Sequence, residues 1–295
     1  MITLSAAAWT ELADAHSRRA DALTAGHRTR KAARERHAID DFVYDYYGTR
    51  PATLRRWHPG AGTALECSPG GPAPHARWRW YATAPDGSVR LDVAAYLVDR
   101  CDAVRFIHRL LTAVGSRPAF TGCFGLHEWA MVYRQEDHRH ALPLRLGQAG
   151  TDAVVESHQI RCTHFDAFRF FTPDAVGRNH LQPTRATQVD LDQPGCLHAA
   201  MDCHKWATKL GAAVPGELAL DCFELARDVR RLDMRASPYD LSTYAERPVA
   251  IETVEGKAEY VSQQRGFAQR AAALRDALLV VCDALLRPVR DAGVS

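Results

Sequence analysis

Residues 194–210, PGCLHAAMDCHKWATKL, and residues 215–233, PGELALDCFELARDVRRLD, decide the fold class of this chain. Each segment begins with a proline, which suits the first turn of a helix because a backbone N–H there has no intrahelical partner. Apolar side chains then recur at the three- and four-residue spacing of one helix face. They are Cys196, Ala200, Cys203, Ala207 and Leu210 in the first segment and Leu218, Leu225, Val229 and Leu232 in the second. The two segments therefore predict two amphipathic helices.

A longer helix is predicted after them, over residues 259–286. Its apolar residues recur every seven positions and so share one side of a helix. They are Tyr260, Phe267, Leu274 and Val281. Helical spacing of apolar residues also marks residues 4–36, 37–47 and 94–114. Helices are therefore expected to make up most of the chain.

The β structure predicted from the sequence is small. Residues 77–83, RWRWYAT, alternate as a strand does, and a Pro-Asp-Gly turn separates them from a partner strand at residues 89–93. This arrangement is typical of an antiparallel hairpin. Residues 152–171 are also expected to have strand character, at least as far as Cys162, and a two-residue period there would bring His158, Cys162 and His164 to one face.

Together these patterns predict a helix-rich α+β fold, with a small antiparallel β element packed with a C-terminal helical bundle. A single domain is expected over residues 1–295, since neither a linker nor an internal repeat divides the chain. An N-terminal helical segment would span residues 1–50. A mixed α/β core would span residues 51–190, and a helical C-terminal part residues 191–295.

The composition is that of an ordinary globular protein. The chain has 295 residues, is 46% hydrophobic and carries a formal net charge of +2, so a nucleic-acid-binding field over the whole surface is not expected. Its eight cysteines include no CxxC pair, which argues against a zinc knuckle or a disulfide framework. Without a secretory signal or an apolar run of membrane-spanning length, the chain is predicted to be cytoplasmic, with no membrane partner.

Groups that bind metals or titrate near neutral pH are concentrated in residues 121–172. His127, His158 and His164 form the predicted metal site, for zinc or iron with an open coordination position. The HExxH motif of zinc hydrolases is absent, because Met131 stands four residues after His127. A hydrogen-bonded histidine network without a metal is the alternative.

Two carboxylates of the same region are candidates for catalysis. Asp166 lies among aromatic residues, which would raise its pKa and shield a developing positive charge. We expect it to act as a general base or a cation stabiliser, with Glu128 and His164 as the other catalytic candidates. Arg169 is a further candidate for substrate binding, although an ion pair between Asp166 and Arg169, or a helix N-cap, would explain the same residues structurally.

The segment DMRASPYD, residues 233–240, stands between two predicted helices. Functional groups are common on loops that rigid elements hold in place. Arg235, Tyr239 and Asp240 are therefore predicted to position a substrate. Turn capping would explain Ser237 and Asp240 without a ligand.

Two other sets of charged residues are expected at the surface. His198, Asp202 and Lys205 lie on one side of a predicted helix, where a solvent-facing salt-bridge cluster is expected. Residues 27–36, HRTRKAARER, would be a solvated helix face or a patch that contacts phosphates. This segment is followed by Arg50, Arg55 and Arg56.

Six motifs resemble those of a family of actinobacterial proteins of this length that is commonly labelled 3-methyladenine DNA glycosylase. They are RRWHPG (55–60), CFGLHEWAMVYR (123–134), SHQIRCTHFDAFRFFTP (157–173), QPGCLHAAMD (193–202), DMRASPYDL (233–241) and IETVEGKAEY (251–260). The resemblance extends over about residues 34–270. Because the chain has no complete helix-hairpin-helix motif, no catalytic residue is carried over from the glycosylases that have one.

The resemblance implies a DNA-repair hydrolase that cleaves an N-glycosidic bond, with a modified purine in DNA or a free nucleoside-like molecule as its substrate. A carboxylate, Asp166 or Glu128, would stabilise the oxocarbenium-like sugar. Arg55 and Arg56 would contact phosphates. The rings that would stack on the base are Trp129, Tyr133, Phe165 and Phe168.

Two other functions are open at this point. One is a zinc or iron enzyme with histidine ligands, a hydrolase or an oxygenase that acts on a small molecule. The other is a non-catalytic protein that binds a ligand or a nucleic acid. DNA binding that weakens steeply with salt, without turnover, would favour the binding protein. Zinc or iron bound in stoichiometric amount would favour the metalloenzyme.

Overall fold

The computed structural model describes residues 1–292, with side chains described as far as Arg287. Helices dominate this part of the chain and a four-stranded sheet accompanies them, so the predicted helix-rich α+β class is confirmed. The helices are α1 (Ala6–Ala33), α2 (Phe42–Tyr47), α3 (Pro51–Leu54), α4 (Val93–Gly115), α5 (Leu126–Ala130), α6 (Gly147–Ser157), α7 (Phe165–Phe168), α8 (Pro173–Val176), α9 (Gln188–Leu191), α10 (Leu197–Leu210), α11 (Gly216–Arg235) and α12 (Val254–Ala292). The last three residues of the predicted domain, 293–295, lie outside the described residues.

The sheet contains β1 (Ile2–Leu4), β2 (Thr63–Leu65), β3 (Tyr81–Thr83) and β4 (Val89–Leu91), in the order β1-β2-β4-β3. β3 and β4 form the expected antiparallel hairpin, with Thr83 opposite Val89. The sheet as a whole is mixed, because β1 joins β2 in parallel. Residues 77–80 do not extend β3, since Pro74–Arg77 form a 3₁₀ turn.

The main core lies in the C-terminal bundle, where α10 packs against α11 and α12, and α4 packs along α12. The predicted apolar faces of α10 and α11 point into this core. Trp206, Phe223 and Leu225 are each no more than 2% exposed, and burying a side chain of this size contributes roughly 1.5–3 kcal/mol. The bundle is therefore the rigid part on which shorter elements are placed.

Residues 147–157 form a helix, α6, so the strand predicted over residues 152–162 is wrong. Thr151, Val154 and Val155 are the buried residues of this helix, and their spacing fits a helix face as well as it fits a strand. The extended part is limited to residues after the helix, where Ile160 makes an isolated bridge with Asn179. The expected row of His158, Cys162 and His164 on one strand face therefore does not form.

Two side-chain amides fix the irregular segments beside the bundle. Asn179 pairs with both backbone groups of Cys162, at 2.7 and 3.0 Å. Gln193 does the same for Phe120, at 2.8 and 3.1 Å. Because each amide satisfies a donor and an acceptor together, it replaces a neighbouring strand.

The helix α5 is short and fully buried. It follows Gly125, whose φ of +72° suits glycine, and all five of its residues are buried. It ends at Ala130. Its His127 and Glu128 are consequently interior groups.

Two global properties complete the description. No helix within residues 1–292 combines the length and the apolar character of a membrane-spanning segment. The eight cysteines all lie in the described part of the chain, and all are free thiols.

Candidate functional site

A cleft of about 880 Å³ opens beside α2, α7 and α10. Six cationic side chains line it, and they are Arg36, Arg139, Arg169, Arg185, Lys205 and Lys209. Three carboxylates share the lining, namely Asp41, Asp45 and Asp166. Five aromatic rings complete it, namely Phe42, Tyr46, Tyr47, Phe170 and Tyr244. We refer to this feature as the basic cleft.

Aromatic rings and guanidinium groups alternate along the basic cleft. The rings of Phe42 and Tyr46 are stacked, with centroids 5.0 Å apart. Arg139 and Arg169 lie over the ring of Phe170, at 4.6 and 4.4 Å from its centroid. Such a surface favours a ligand that combines a flat ring system with negative charge.

Asp166 lines the cleft although it is only 6% exposed. Its carboxylate accepts a hydrogen bond from Lys205 Nζ at 2.7 Å and one from Arg185 at 3.2 Å. Burial by itself would raise the pKa of Asp166, but the hydrogen bond and charge of Lys205 outweigh burial and lower the pKa below its ordinary value. Asp166 is therefore an anion at neutral pH.

Lys205 connects the cleft to a second carboxylate farther inside. Its Nζ also lies 2.9 Å from Asp202 Oδ2, and the hydroxyl of Tyr47 donates to the other oxygen of Asp202 at 3.2 Å. Burial favours a lower pKa for Lys205, yet Asp202 and Asp166 together raise its pKa. Lys205 is consequently a fixed cation between two fixed anions.

The expectation of a solvent-facing cluster at His198, Asp202 and Lys205 is wrong. Asp202 is 2% exposed and His198 is 8% exposed. The helix α10 packs on the bundle with one side and on the site with the other, so its polar face is covered as well. The spacing of the three residues is as predicted, but their environment is the protein interior.

Three histidines continue inward from Asp202. His164 Nε2 lies 3.3 Å from Asp202 Oδ2, and the ring of His164 is stacked on that of His198 with centroids 5.3 Å apart. The ring of His127 meets His198 edge to face at 4.5 Å. Burial lowers the pKa of His198 to about 3, with a further contribution from His127, so His198 is neutral.

The chain of contacts then passes into α11. His127 Nε2 lies 2.9 Å from Asp233 Oδ1, and Asp233 Oδ2 accepts a hydrogen bond from Arg230 at 3.0 Å. Arg230 also donates to Glu128 at 2.6 Å. Each of these charged groups is at least nine-tenths buried, so each depends on its partners for solvation.

Arg230 returns the chain of contacts to the cleft. Its guanidinium lies over the Phe42 ring at 4.1 Å and 3.3 Å from His140 Nε2, and both residues line the basic cleft. Burial, with Arg230 and Arg139, lowers the pKa of His140 to about 4. We name the full series the buried polar chain. Its members are Asp166, Lys205, Asp202, His164, His198, His127, Asp233, Arg230 and His140.

Several residues predicted from the sequence meet at this site. Asp166 and Arg169 line the cleft, and their expected ion pair is present at 3.4 Å. His164 lies directly behind them. Phe165 lies beneath the guanidinium of Arg185 at 5.1 Å. The aromatic environment of Asp166 was the sequence signal that located this part of the site.

Three of the rings predicted to stack on a base are packed inside the protein. Trp129 is fully buried and donates its indole N–H to the carbonyl of Ala236 at 2.8 Å. Tyr133 is 1% exposed, and Phe168 is half-buried and packs against Phe171 at the edge of the core. A large aromatic residue beside a polar motif is as typical of a core as of a stacking surface, and here it is core.

The predicted phosphate contacts lie outside the basic cleft. Arg55 pairs with Asp21 at 3.0 Å, and Arg56 lies over the ring of Trp78 at 5.3 Å. Neither side chain is among the residues that line the basic cleft. Arg55 and Arg56 instead line a separate cavity of about 390 Å³ beside Trp78, and Arg50 and Arg56 both line another of about 360 Å³.

The residues of segment 233–240 have different roles. Asp233 and Arg235 belong to α11, where Arg235 faces Glu259 at 3.0 Å, away from the cleft lining. Tyr239 is 2% exposed and sits edge to face with His140 at 5.2 Å. Asp240 accepts a hydrogen bond from the backbone of Ser242 at 2.9 Å, so turn capping accounts for it.

The predicted metal ligands are not brought together. His158 ends α6, where its ring bonds to the carbonyl of Val154 at 2.7 Å. Among the described residues, the histidine, cysteine and acidic side chains that converge on one point are His127, His198 and Asp233. Glu128, the second catalytic candidate, is paired with Arg230 and has no open side toward the cleft.

Much of the cleft was not identified as a site from the sequence. The apolar stripe of segment 37–47, formed by Ile39, Phe42, Val43, Tyr46 and Tyr47, predicts mostly core residues, and Ile39 and Val43 are indeed buried. Phe42 and Tyr46 of the same helix instead line the cleft. The sequence predicts Arg230 only as part of a helix. The signal that could have revealed it is a basic residue on the apolar face of α11.

Comparison with known proteins adds no further assignment. No protein-family model, curated protein or solved structure matches the chain. The chemistry of the basic cleft and of the buried polar chain is therefore the basis for a function.

Proposed function

We propose that the protein hydrolyses the N-glycosidic bond of a modified purine nucleotide unit, free or in DNA, in the basic cleft. The observation that supports this best is Asp166, a nearly buried carboxylate that stays ionised among aromatic rings and cations. The resemblance of the six motifs to proteins labelled 3-methyladenine DNA glycosylase points to the same reaction.

The role of Asp166 follows from the charge that develops during such a reaction. As the bond to the base breaks, the sugar acquires oxocarbenium character, and a nearby anion lowers the energy of that state. The effect is largest where water is excluded and the anion is already in place. Because its pKa is lowered, Asp166 suits electrostatic stabilisation better than proton abstraction.

The remaining lining suits the other parts of a nucleotide. The ring of Tyr46, supported from behind by Phe42, offers an aromatic surface to a purine, and stacking of a base on such a ring contributes about 1–3 kcal/mol. Arg185 is exposed by 59% along its side chain and is free to turn toward a phosphate. Binding there would withdraw a cation from Asp166 and leave more of its charge for the sugar.

The test is the isosteric change Asp166→Asn. It removes the negative charge while Lys205 keeps its contact with Asp202, so the fold should be retained. We expect base release to fall by roughly 100-fold or more, measured by chromatography of the free purine from methylated DNA and from a methylated purine nucleotide. The melting temperature reports separately on folding.

Asp174→Asn is the matched control, because this carboxylate on α8 is 55% exposed and lies outside the cleft. It should release base at the wild-type rate. Full activity in Asp166→Asn would refute the assignment. A wild-type protein that binds methylated DNA with steep salt dependence but releases no base would favour the non-catalytic binding function instead.

A further inference from the structure

Three side chains of the buried polar chain converge on one point. His127 from α5, His198 from α10 and Asp233 from α11 each offer one ligand atom, and these atoms all lie within 4.8 Å of one another. We propose that the three residues bind a divalent transition-metal ion. Two imidazoles and one carboxylate are a donor set that suits Fe²⁺ and Zn²⁺.

Two polar atoms of these three residues have no hydrogen-bond partner among the described residues. They are His127 Nε2 and Asp233 Oδ1, and both are buried. They lie 2.9 Å apart and face each other, so an ion pair between a protonated His127 and Asp233 is the alternative to a shared ion. No other group in the described residues bonds to either atom. Two neighbouring ligands at about 2.1 Å from one ion are about 3.0 Å apart in an octahedral site and about 3.4 Å apart in a tetrahedral one, so this separation suits a six-coordinate Fe²⁺ site better than a tetrahedral Zn²⁺ site.

The charges around the three residues suit a cation. Asp233 and Glu128 are both in contact with Arg230, so with His127 neutral, as a metal ligand must be, two carboxylates and one guanidinium leave one net negative charge. Arg230 holds the second oxygen of Asp233 at 3.0 Å and so orients the first oxygen toward His127. Partners of this kind behind a ligand are typical of metal centres.

A small crevice reaches the two imidazoles. His127, His198, Cys123, Cys162 and Cys196 contribute to its lining, and its volume of about 10 Å³ is close to that of one water-sized probe. An ion bound by three protein ligands would therefore have room for a water or a small ligand in a further position. A metal at this place would also give the predicted zinc or iron enzyme a ligand set, with His198 and Asp233 replacing His158 and His164.

The test uses the wild-type protein and the metal ions alone. After treatment with a chelator, the protein should bind one equivalent of Zn²⁺, Fe²⁺ or Co²⁺, measured by calorimetry and by mass spectrometry of the metal. The Co²⁺ form should show the visible absorption of a bound ion, and its melting temperature should rise because the ion binds the folded state. His198→Gln should weaken binding by more than about tenfold.

His204→Gln is the matched control, since His204 lies on the same helix, is 1% exposed and bonds Thr49 at 2.8 Å. It should bind the ion as the wild type does. A wild-type protein that binds none of the three ions, or full binding by His198→Gln, would overturn the proposal. The outcome is independent of glycosidic activity, because Asp166→Asn should lose base release and keep the metal.

Discussion

At the scale of single residues, Lys205 is the group on which the site depends most. It is the cation between Asp166 and Asp202, at 2.7 and 2.9 Å. Removing one partner from a buried ion cluster is costly because the remaining charges lose their solvation. Lys205 thus has a structural role that precedes any contact with a ligand.

Replacing Lys205 by methionine should lower the free energy of unfolding by about 3–5 kcal/mol at neutral pH. Lys209→Met on the same helix should change it by less than about 0.5 kcal/mol, since Lys209 is exposed. Urea denaturation measures both. Equal losses in the two variants would show that the ion cluster contributes little to stability.

The stability difference between wild type and Lys205→Met should depend on pH in a defined direction. Lys205 lowers the pKa values of Asp166 and Asp202 in the folded protein. The contribution of these carboxylates is therefore complete above their ordinary pKa near 3.8 and is lost as the pH falls through their folded pKa values. The difference should shrink below about pH 4.

Residue types alone identified Asp166 and His164, because a carboxylate and an imidazole in an aromatic segment are unusual. The same reasoning misplaced Trp129. A tryptophan after a His-Glu pair has no feature in the sequence that separates a stacking ring from a core ring. Its environment is decided by Ala236, more than 100 residues away, whose carbonyl accepts its N–H.

At the scale of elements, α10 shows what periodicity can and cannot predict. Its apolar face was predicted from spacing and lies in the core as expected. Its polar face was assigned to solvent, because a helix with charged residues on one side is usually half exposed. Residue spacing predicts which side chains share each face of a helix. It does not show whether another part of the protein covers the polar face.

The helix α10 begins beside a close backbone contact. A Cβ atom on Gly195 would lie 2.5 Å from the carbonyl oxygen of Phe120, where only glycine fits. Gly195→Ala should therefore destabilise the protein by about 1–3 kcal/mol and displace the start of α10. The free energy of unfolding in urea measures the loss.

Gly177→Ala is the control for this change. Nothing lies within 4 Å of a Cβ at Gly177, and its φ of −69° suits alanine. It should leave stability within about 0.5 kcal/mol of the wild type. If Gly195→Ala behaves in the same way, the backbone between Phe120 and α10 is able to move apart.

At the scale of the whole molecule, the site is assembled from distant parts of the chain. Phe42, Asp166, Lys205 and Arg230 come from α2, α7, α10 and α11. The C-terminal bundle was predictable from local patterns because each helix carries its own signal. The cleft was not, since no local pattern in one sequence relates α2 to α11.

Acid should destabilise the molecule through histidines whose pKa is lowered in the folded protein, and the partly buried His58 is a clear case. Burial, with His75 and Arg56, lowers its folded pKa from 6.5 to about 3, and its ring bonds Tyr81 at 2.9 Å. A lowered histidine pKa gives stability that is present above pH 6.5 and is lost as the pH falls toward the folded value. Between pH 7 and 5 the wild type should lose about 2 kcal/mol more than His58→Gln.

Urea denaturation at the two pH values measures this slope. His180→Gln serves as the control, because His180 is exposed and its removal should leave the slope unchanged. The charge of His16 also contributes to the lowered pKa of His58. A variant slope identical to that of the wild type would mean that His58 is able to accept a proton in the folded protein.

The helix α10 has one further consequence. His198, Asp202 and Lys205 stand on consecutive turns of one helix, so a single element connects the interior histidines to the cleft. A ligand that displaces α10 at the cleft would change the geometry around His198, and the reverse also holds. Thermodynamic reciprocity then requires equal mutual effects: an anion in the cleft and an ion at His198 should change each other's affinity by the same factor.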